Sequence, residues 1–183
     1  MGTVKPPKPV KLIVSAFAPG DALLQQVKLS LVDEWGTIDF ESDLLPFEHT
    51  SYYAQEFGPG LVRRVWAFAR LVDPGDLAAI KVRTNELEQL TAFEDKRRIN
   101  LDAGYVSMAK LVLATTKNHG HRIYIGHSPQ AVGIYAEVTL QYRNKAFRPW
   151  ECTYPDYATP EYCQLFEAIR KQYVAQLREG KWL

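Results

Sequence analysis

The chain reads as a single α+β domain: a mostly antiparallel sheet with helices mainly on one face, built on a ferredoxin-like βαββαβ core with extra strands and a C-terminal helix. Three observations predict this. Apolar spacing in the first half alternates between strand and helix periods in the order β-α-β-β-α, the order of a split βαβ unit. The 183 residues are 46% hydrophobic and 12% aromatic, enough for one sizeable core. A long stretch with strong helical periodicity closes the chain.

Residues 1–9 form an extended lead, because Lys5 to Pro9 is too rich in proline to be helical, and residues 10–183 form the domain. "VKLIVSAF", Val10 to Phe17, has the length of a buried strand. Pro19-Gly20-Asp21 turns the chain, and Leu24, Val27, Leu31 and Trp35 then recur as one helix face, with Gly36 as the C-terminal cap. Thr37 to Phe47 is extended, with Ile38, Phe40 and Leu44 alternating with polar residues until Pro46. "HTSYYAQEFGPG" is an aromatic connection with a tight turn at its glycines. Leu61 to Val72 is a strand with Leu61, Arg63, Val65, Ala67 and Ala69 on one face and Val62, Arg64, Trp66, Phe68 and Arg70 on the other. Asp73-Pro74-Gly75-Asp76 starts a helix whose inward face is Leu77, Ile80, Thr84 and Leu87.

The second half has fewer landmarks. Arg98 to Tyr105 reads as either strand or loop. Residues 107–117 read either as a short helix capped by Ser107 or as a strand, "KLVLATT". "HRIYIG" and "VGIYAEVTLQYRN" are strands joined by "HSPQAVG". In the second, Ile134, Ala136, Val138, Leu140 and Tyr142 are expected on one face, with Tyr135, Glu137, Thr139 and Gln141 on the other. Thr159 caps the final helix, Pro160 opens it, and Tyr162, Leu165, Phe166, Ile169, Tyr173 and Leu177 form its apolar face.

Seven strings, "PVKL", "FGPGLVRR", "NLDAGY", "KLVLATTK", "HRIYIG", "GIYAEVTLQY" and "TYPDY", in one order from about Pro9 to Tyr173, resemble a family of prokaryotic proteins known as domain of unknown function 4416. The family's usual form carries Pro where this chain has Ala103, which implies a looser turn there. The resemblance brings no activity, ligand or catalytic residue with it.

Composition narrows the function classes. Lys and Arg total 22 against 21 Asp and Glu, a formal charge of +1, so no global field gathers nucleic acid or an anionic membrane. No stretch of about 18 apolar residues suggests a membrane span, and the opening "MGTVKPPKPVKL" lacks the apolar core of a signal peptide. Cys152 and Cys163 match no zinc spacing and read as buried thiols in a reducing cytoplasm. No GxxxxGK[ST] loop, GxGxxG turn or GxSxG elbow is present.

Candidate site residues gather in "RRINLDAGYVSMAKLVLATTKNHGHRIYIG", residues 97–126. Asn100, Tyr105, Lys110, Lys117 and Arg122 are the candidate ligand-binding groups, since ammonium and guanidinium donors bind phosphate or carboxylate oxygens. Asp102, His121 and Glu137 are the candidate acid-base groups, and Asp102 with Glu137 offers a position for Mg²⁺. The expected function is therefore binding of, or action on, a small phosphorylated, nucleotide-like ligand. The alternative is a non-catalytic interaction domain whose polar cluster is structural, with Arg122 pairing with Glu137 across neighbouring strands and Asp102 capping a turn. His119, His121 and His127 with an acid also suggest a transition-metal site, which Gly120 argues against. Arg63, Arg64 and Arg70 interleave with aromatics as in nucleic-acid-binding sheets, but the near-neutral charge favours Arg63 and Arg64 covering sheet edges or pairing with acids such as Glu41 and Glu48. "WECTYPDYATPEY" reads either as a lid over a ligand or as a strap that packs over the sheet and delivers the last helix.

Overall fold

Val10–Pro19 forms strand β1, and it is buried from Val10 to Ala18 because helices cover both faces of the sheet at this point. The structure is a computed structural model that describes residues 2–47, 53–94, 96–126 and 129–183. Helix α1, Asp21–Trp35, lays Leu24, Val27 and Leu31 on the face that carries Leu12, Val14 and Ala16. Gly36 ends it at a positive φ of 86°, its N–H bonded to the Val32 carbonyl.

The stretch expected to be one extended piece from Thr37 to Phe47 is two, β2 at Ile38–Glu41 and β3 at Leu45–Pro46, both paired with β4. The break shifts the alternation, so Leu45 is buried and Leu44 is exposed. Within the aromatic connection, Ala54–Phe57 makes the one-turn helix α2. The start of that connection, and Glu48, lie outside the described residues.

Strand β4, Leu61–Val72, has the predicted two faces: Trp66 and Phe68 join the α1 side, and Val65 and Ala67 the other. After a 3-10 turn, in which Asp73 accepts a hydrogen bond from the Gly75 N–H, helix α3, Leu77–Leu90, packs beside α1.

The ambiguous segments are both strands. β5 is Asn100–Val106 and β6 is Lys110–Thr115. β6 lacks two-residue periodicity because it is apolar on both sides: Leu111 and Leu113 enter one core cluster, Val112 and Ala114 another. Asp102 and Ala103 lie within β5, so neither caps nor loosens a turn there. β7 is Ile123–Tyr124, β8 Tyr135–Arg143 and β9 Ala146–Pro149.

All pairings are antiparallel, in the order β2-β4-β1-β5-β6-β8-β7, with β3 on β4 and β9 on β8. The crossover through α1 therefore passes over β4, and the crossover through α3 passes over β1. Along β8 the expected alternation fails at one point. The register with β6 slips between Leu111 and Val112, so Val112 faces Val138 while Leu111 faces Leu140. The extra residue turns Leu140 away from Val138, to the opposite core.

The third long helix, α4, Pro160–Glu179, begins at Thr159, whose side chain accepts from the Tyr162 N–H. It packs Phe166 and Ile169 on the face opposite α1 and α3. Buried Lys11 fastens β1 to its surroundings, donating to Asp39 (2.7 Å), the Phe68 carbonyl and Gln176 of α4, while burial lowers its pKa. Among the described residues no helix is long and apolar enough to cross a membrane.

Candidate functional site

β5 and β6 pair only between Gly104–Val106 and Leu111–Leu113, although β5 starts at Asn100 and β6 runs to Thr115. At Gly104 the strands are as close as they can be, since a Cβ there would overlap the Val112 carbonyl and the Leu113 side chain. Beyond that point they part. The edge of β5 left bare is served by α3: Glu88 Oε1 accepts the Leu101 N–H at 2.6 Å, and Lys81 Nζ donates to the Leu101 carbonyl at 2.7 Å. Two buried charged residues on one helix thus replace a missing strand.

The wedge between the strands is a cavity of about 870 Å³, within the range of small-ligand sites. Its β5 side is built from β1, β4, β5 and the segments packed over them. By register Phe17 lies between Arg63 and Asn100, and Ser15 lies between Val65 and Asp102, all on one sheet face. Arg63 is buried and ion-paired with buried Asp156, and its guanidinium lies 4.1 Å from the Phe47 ring centroid and 5.2 Å from that of Tyr157. Burial pushes the Tyr157 hydroxyl well above its ordinary pKa, so it stays neutral and able to donate.

Three residues lining the cavity each carry a buried atom with no hydrogen-bond partner among the described residues: Arg63 Nε, Asn100 Nδ2 and Tyr157 Oη. The residues that carry them are 3%, 6% and 2% exposed. Native interiors seldom leave such groups unmet. The Asn100 amide is oriented, because its Oδ1 accepts from Arg97 at 3.4 Å, which leaves Nδ2 as the open donor. The Ser15 and Tyr157 hydroxyls approach one another without closing a hydrogen bond. Asp102, about a third exposed, has Lys81 Nζ at 3.8 Å.

The β6 side is more tightly paired. Buried Arg122 donates from Nε to Glu137 Oε2 (2.7 Å), from Nη1 to the Lys117 carbonyl (2.9 Å) and from Nη2 to the Tyr154 hydroxyl (2.7 Å). Burial alone would lower its pKa, but Glu137 outweighs this and raises it. His121 Nε2 lies 2.9 Å from the same Glu137 oxygen. Exposed Lys117 holds its ammonium 5.8 Å from the Tyr53 ring centroid.

Of the residues singled out in the sequence, Asn100, Asp102, Lys117, Arg122 and Glu137 line this one cavity. His121 stands behind Glu137, and its neighbour His119 lines the cavity instead. Tyr105 and Lys110 are elsewhere. Strand alternation turns Tyr105 to the face opposite Asn100 and Asp102, and Lys110 is exposed at the far end of β6, opposite Gln141. Asp102 and Glu137 stand on opposite sides of the wedge, and no group of three or more metal-ligating side chains gathers among the described residues. His127 is outside them.

Sequence reasoning missed Arg63, Lys81, Glu88, Asp156 and Tyr157 as parts of a site. Arg63 had a signal: it is the one charged position on an inward strand face otherwise made of Leu61, Val65 and Ala67. It covers no sheet edge, whereas Arg64, on the other face, bonds Asp21 and lies 3.6 Å from Glu41. Trp66 and Phe68 are fully buried, so this strand offers no stacking platform for nucleic-acid bases. The aromatic segment after Pro149 packs as the expected strap and also contributes to the cavity wall. Tyr157 stacks on Phe166 to seat α4, while Tyr154 reaches the cavity.

Residues 8–173 match the model of a family described as "Domain of unknown function (DUF4416)". The chain belongs to this family. No curated protein and no solved structure matches it. The DUF4416 match spans β1 through most of α4, so every element that lines the cavity falls inside it.

Proposed function

We propose that the wedge between β5 and β6 binds a small phosphorylated, nucleotide-like ligand. One observation carries this reading: the buried, unpartnered atoms Arg63 Nε, Asn100 Nδ2 and Tyr157 Oη are all able to donate, and the residues that carry them line one cavity with aromatic walls. Their complement is a ligand rich in acceptor oxygens or ring nitrogens. Lys117 supplies a positive charge on the more exposed side, where His119 also lines the cavity. Of the candidate acid-base groups, Asp102 and Glu137 line the cavity where a bound ligand would lie, while His121 stands behind Glu137 and acts on a ligand only through it. The strand order around β1 supports a ferredoxin-like βαββαβ core, and the two cysteines, Cys152 exposed and Cys163 half-buried where both were expected to be buried, are free, consistent with a cytoplasmic protein.

A second reading rests on the mutual pairing of Arg63 with Asp156, Arg97 with Glu56 and Glu88, and Arg122 with Glu137. In that reading the cluster is a structural brace in an interaction domain. A thermal-shift screen against nucleotides, sugar phosphates, small carboxylates and divalent metals separates the two, because a ligand that binds only the folded state raises its melting temperature. The expected result is a rise of several degrees with a phosphorylated compound, lost in Lys117→Ala and in Asn100→Ala. No rise with any compound would leave the brace standing.

A further inference from the structure

Among the described residues five carboxylates line the cavity, and four of them are held by protein donors. Glu56 accepts from Arg97, Glu88 from Arg97 and the Leu101 N–H, Glu137 from Arg122, and Asp156 from Arg63. Asp102 differs. Its ion pair with Lys81 Nζ, at 3.8 Å, is too long for a hydrogen bond, and that ammonium donates instead to the Leu101 carbonyl at 2.7 Å. Among the described residues no donor bonds the Asp102 carboxylate, which stands about a third exposed on the cavity wall. An ionised carboxylate only accepts, so Asp102 is open to a ligand that donates.

The surroundings of Asp102 narrow the chemistry of that donor. Asn100 lies on the same strand face, about 7 Å away along β5, and the bond from Arg97 orients its unmet Nδ2. Ser15 lies directly across the ladder, with about 4.5–5.5 Å between Cβ atoms, and its hydroxyl is also unmet. Tyr157 and Arg63 are near enough for the Asp102 charge to act on both. One acceptor thus stands among several donors, spread in two dimensions over the sheet. A phosphate beside Asp102 would be repelled by it, and the cavity has no surplus of cations to compensate, since five Lys and Arg side chains face the five carboxylates. A nucleobase offers its donors and acceptors along an edge in one plane. Neighbouring hydroxyls on a sugar ring suit the array better, because each donates and accepts at once and they point in different directions. A carboxylate is also the group that meets ribose hydroxyls in dinucleotide-binding folds. The rings of Phe17, Phe47 and Tyr53 line the same space and supply an apolar wall for the sugar.

We infer that the ligand carries a sugar and presents a pair of adjacent hydroxyls to β5, one donating to Asp102 and the other accepting from Asn100. This rests on the ligand-binding reading above and names the part of the ligand that the β5 wall selects. Compounds that lack the diol lose this contact whatever their base or phosphate.

Titration of the full chain with ribonucleoside monophosphates, their 2′,3′-dideoxy counterparts and ribose phosphate, followed calorimetrically and by amide chemical shifts, tests it. The dideoxy forms should bind the unaltered protein about tenfold or more weakly than the ribose forms, since a charge-assisted hydrogen bond is lost. Asp102→Asn should weaken the ribose forms to a similar degree and leave the dideoxy forms unchanged, because the substitution and the missing diol remove the same contact. In the unaltered protein, ribose phosphate should move the amides of residues 100–102 and inorganic phosphate should not, which keeps the test decisive if Asp102→Asn folds poorly. If dideoxy and ribose forms bind the unaltered protein equally, or if Asp102→Asn weakens both alike, the diol reading is wrong while ligand binding stands. If no nucleotide or sugar phosphate binds, both fall.

Discussion

Replacing Glu88 by alanine removes the side chain that stands in for a strand on the bare edge of β5. Its Oε1 accepts the Leu101 N–H at 2.6 Å, its Oε2 accepts from Arg97 at 3.0 Å, and the Lys81 ammonium lies close enough to act on its charge. Leu101 is fully buried, and the freed N–H has no other protein group to meet. Each charge-assisted bond contributes about 1.5–3 kcal/mol, and removing one partner of a buried pair costs about 3–5 kcal/mol because the other charge stays behind. The variant should therefore lose about 3–5 kcal/mol, a large fraction of the roughly 5–15 kcal/mol of a typical domain. Urea unfolding by linear extrapolation measures it, with the slope unchanged if only stability has moved. Lys81→Met should also be costly, since it strands the Leu101 carbonyl. The double variant should cost less than the two together, because both serve one residue. A loss below about 1 kcal/mol for Glu88→Ala would show that β5 does not depend on this surrogate pairing.

Gly104→Ala should destabilise by about 1–3 kcal/mol in the same assay, because its methyl group would drive β5 and β6 apart where they are closest. Wild-type stability would refute that contact. Asp21 has its pKa lowered, first by its hydrogen bond from Arg64, so its stabilising effect is present above its unfolded pKa and fades as the pH falls through the lower folded value. Asp21→Asn should accordingly melt below the wild type at neutral pH, and the gap should close under acid. A gap that persists well below pH 4 would mean that the carboxylate's charge is not the cause.

The first half of the chain was legible because its elements are each covered on a known side. β4 alternates cleanly, α3 announces itself with Asp73-Pro74, and the C-terminal helix does so with Thr159-Pro160. Legibility fell where that condition fails. "KLVLATT" is apolar on both sides and so carries no period, and the register slip on β8 leaves no mark in its sequence. For the site, parity alone separates Tyr105 from Asn100 and Asp102 once the segment is known to be a strand. Arg63 and Asp156 are 93 positions apart, and only the fold brings their charges together. Lys81 and Glu88 looked like ordinary helix charges because what they replace is an absence, the unpaired edge of a strand not yet placed.

The sheet is joined very unevenly. β1 and β5 share seven paired positions, β5 and β6 only three. On the α4 face the same helix grips both sides of that short seam, with Phe166 and Ile169 in one cluster that takes Ile13, Val65 and Ala67 from one side and Leu111, Leu140 and Phe147 from the other. Widening the cavity therefore means peeling α4 from half of its bed. Breathing of the cleft and undocking of the helix become one cooperative event, and amide hydrogen exchange in β6 should keep pace with exchange in α4 and not with the firmly laddered β1.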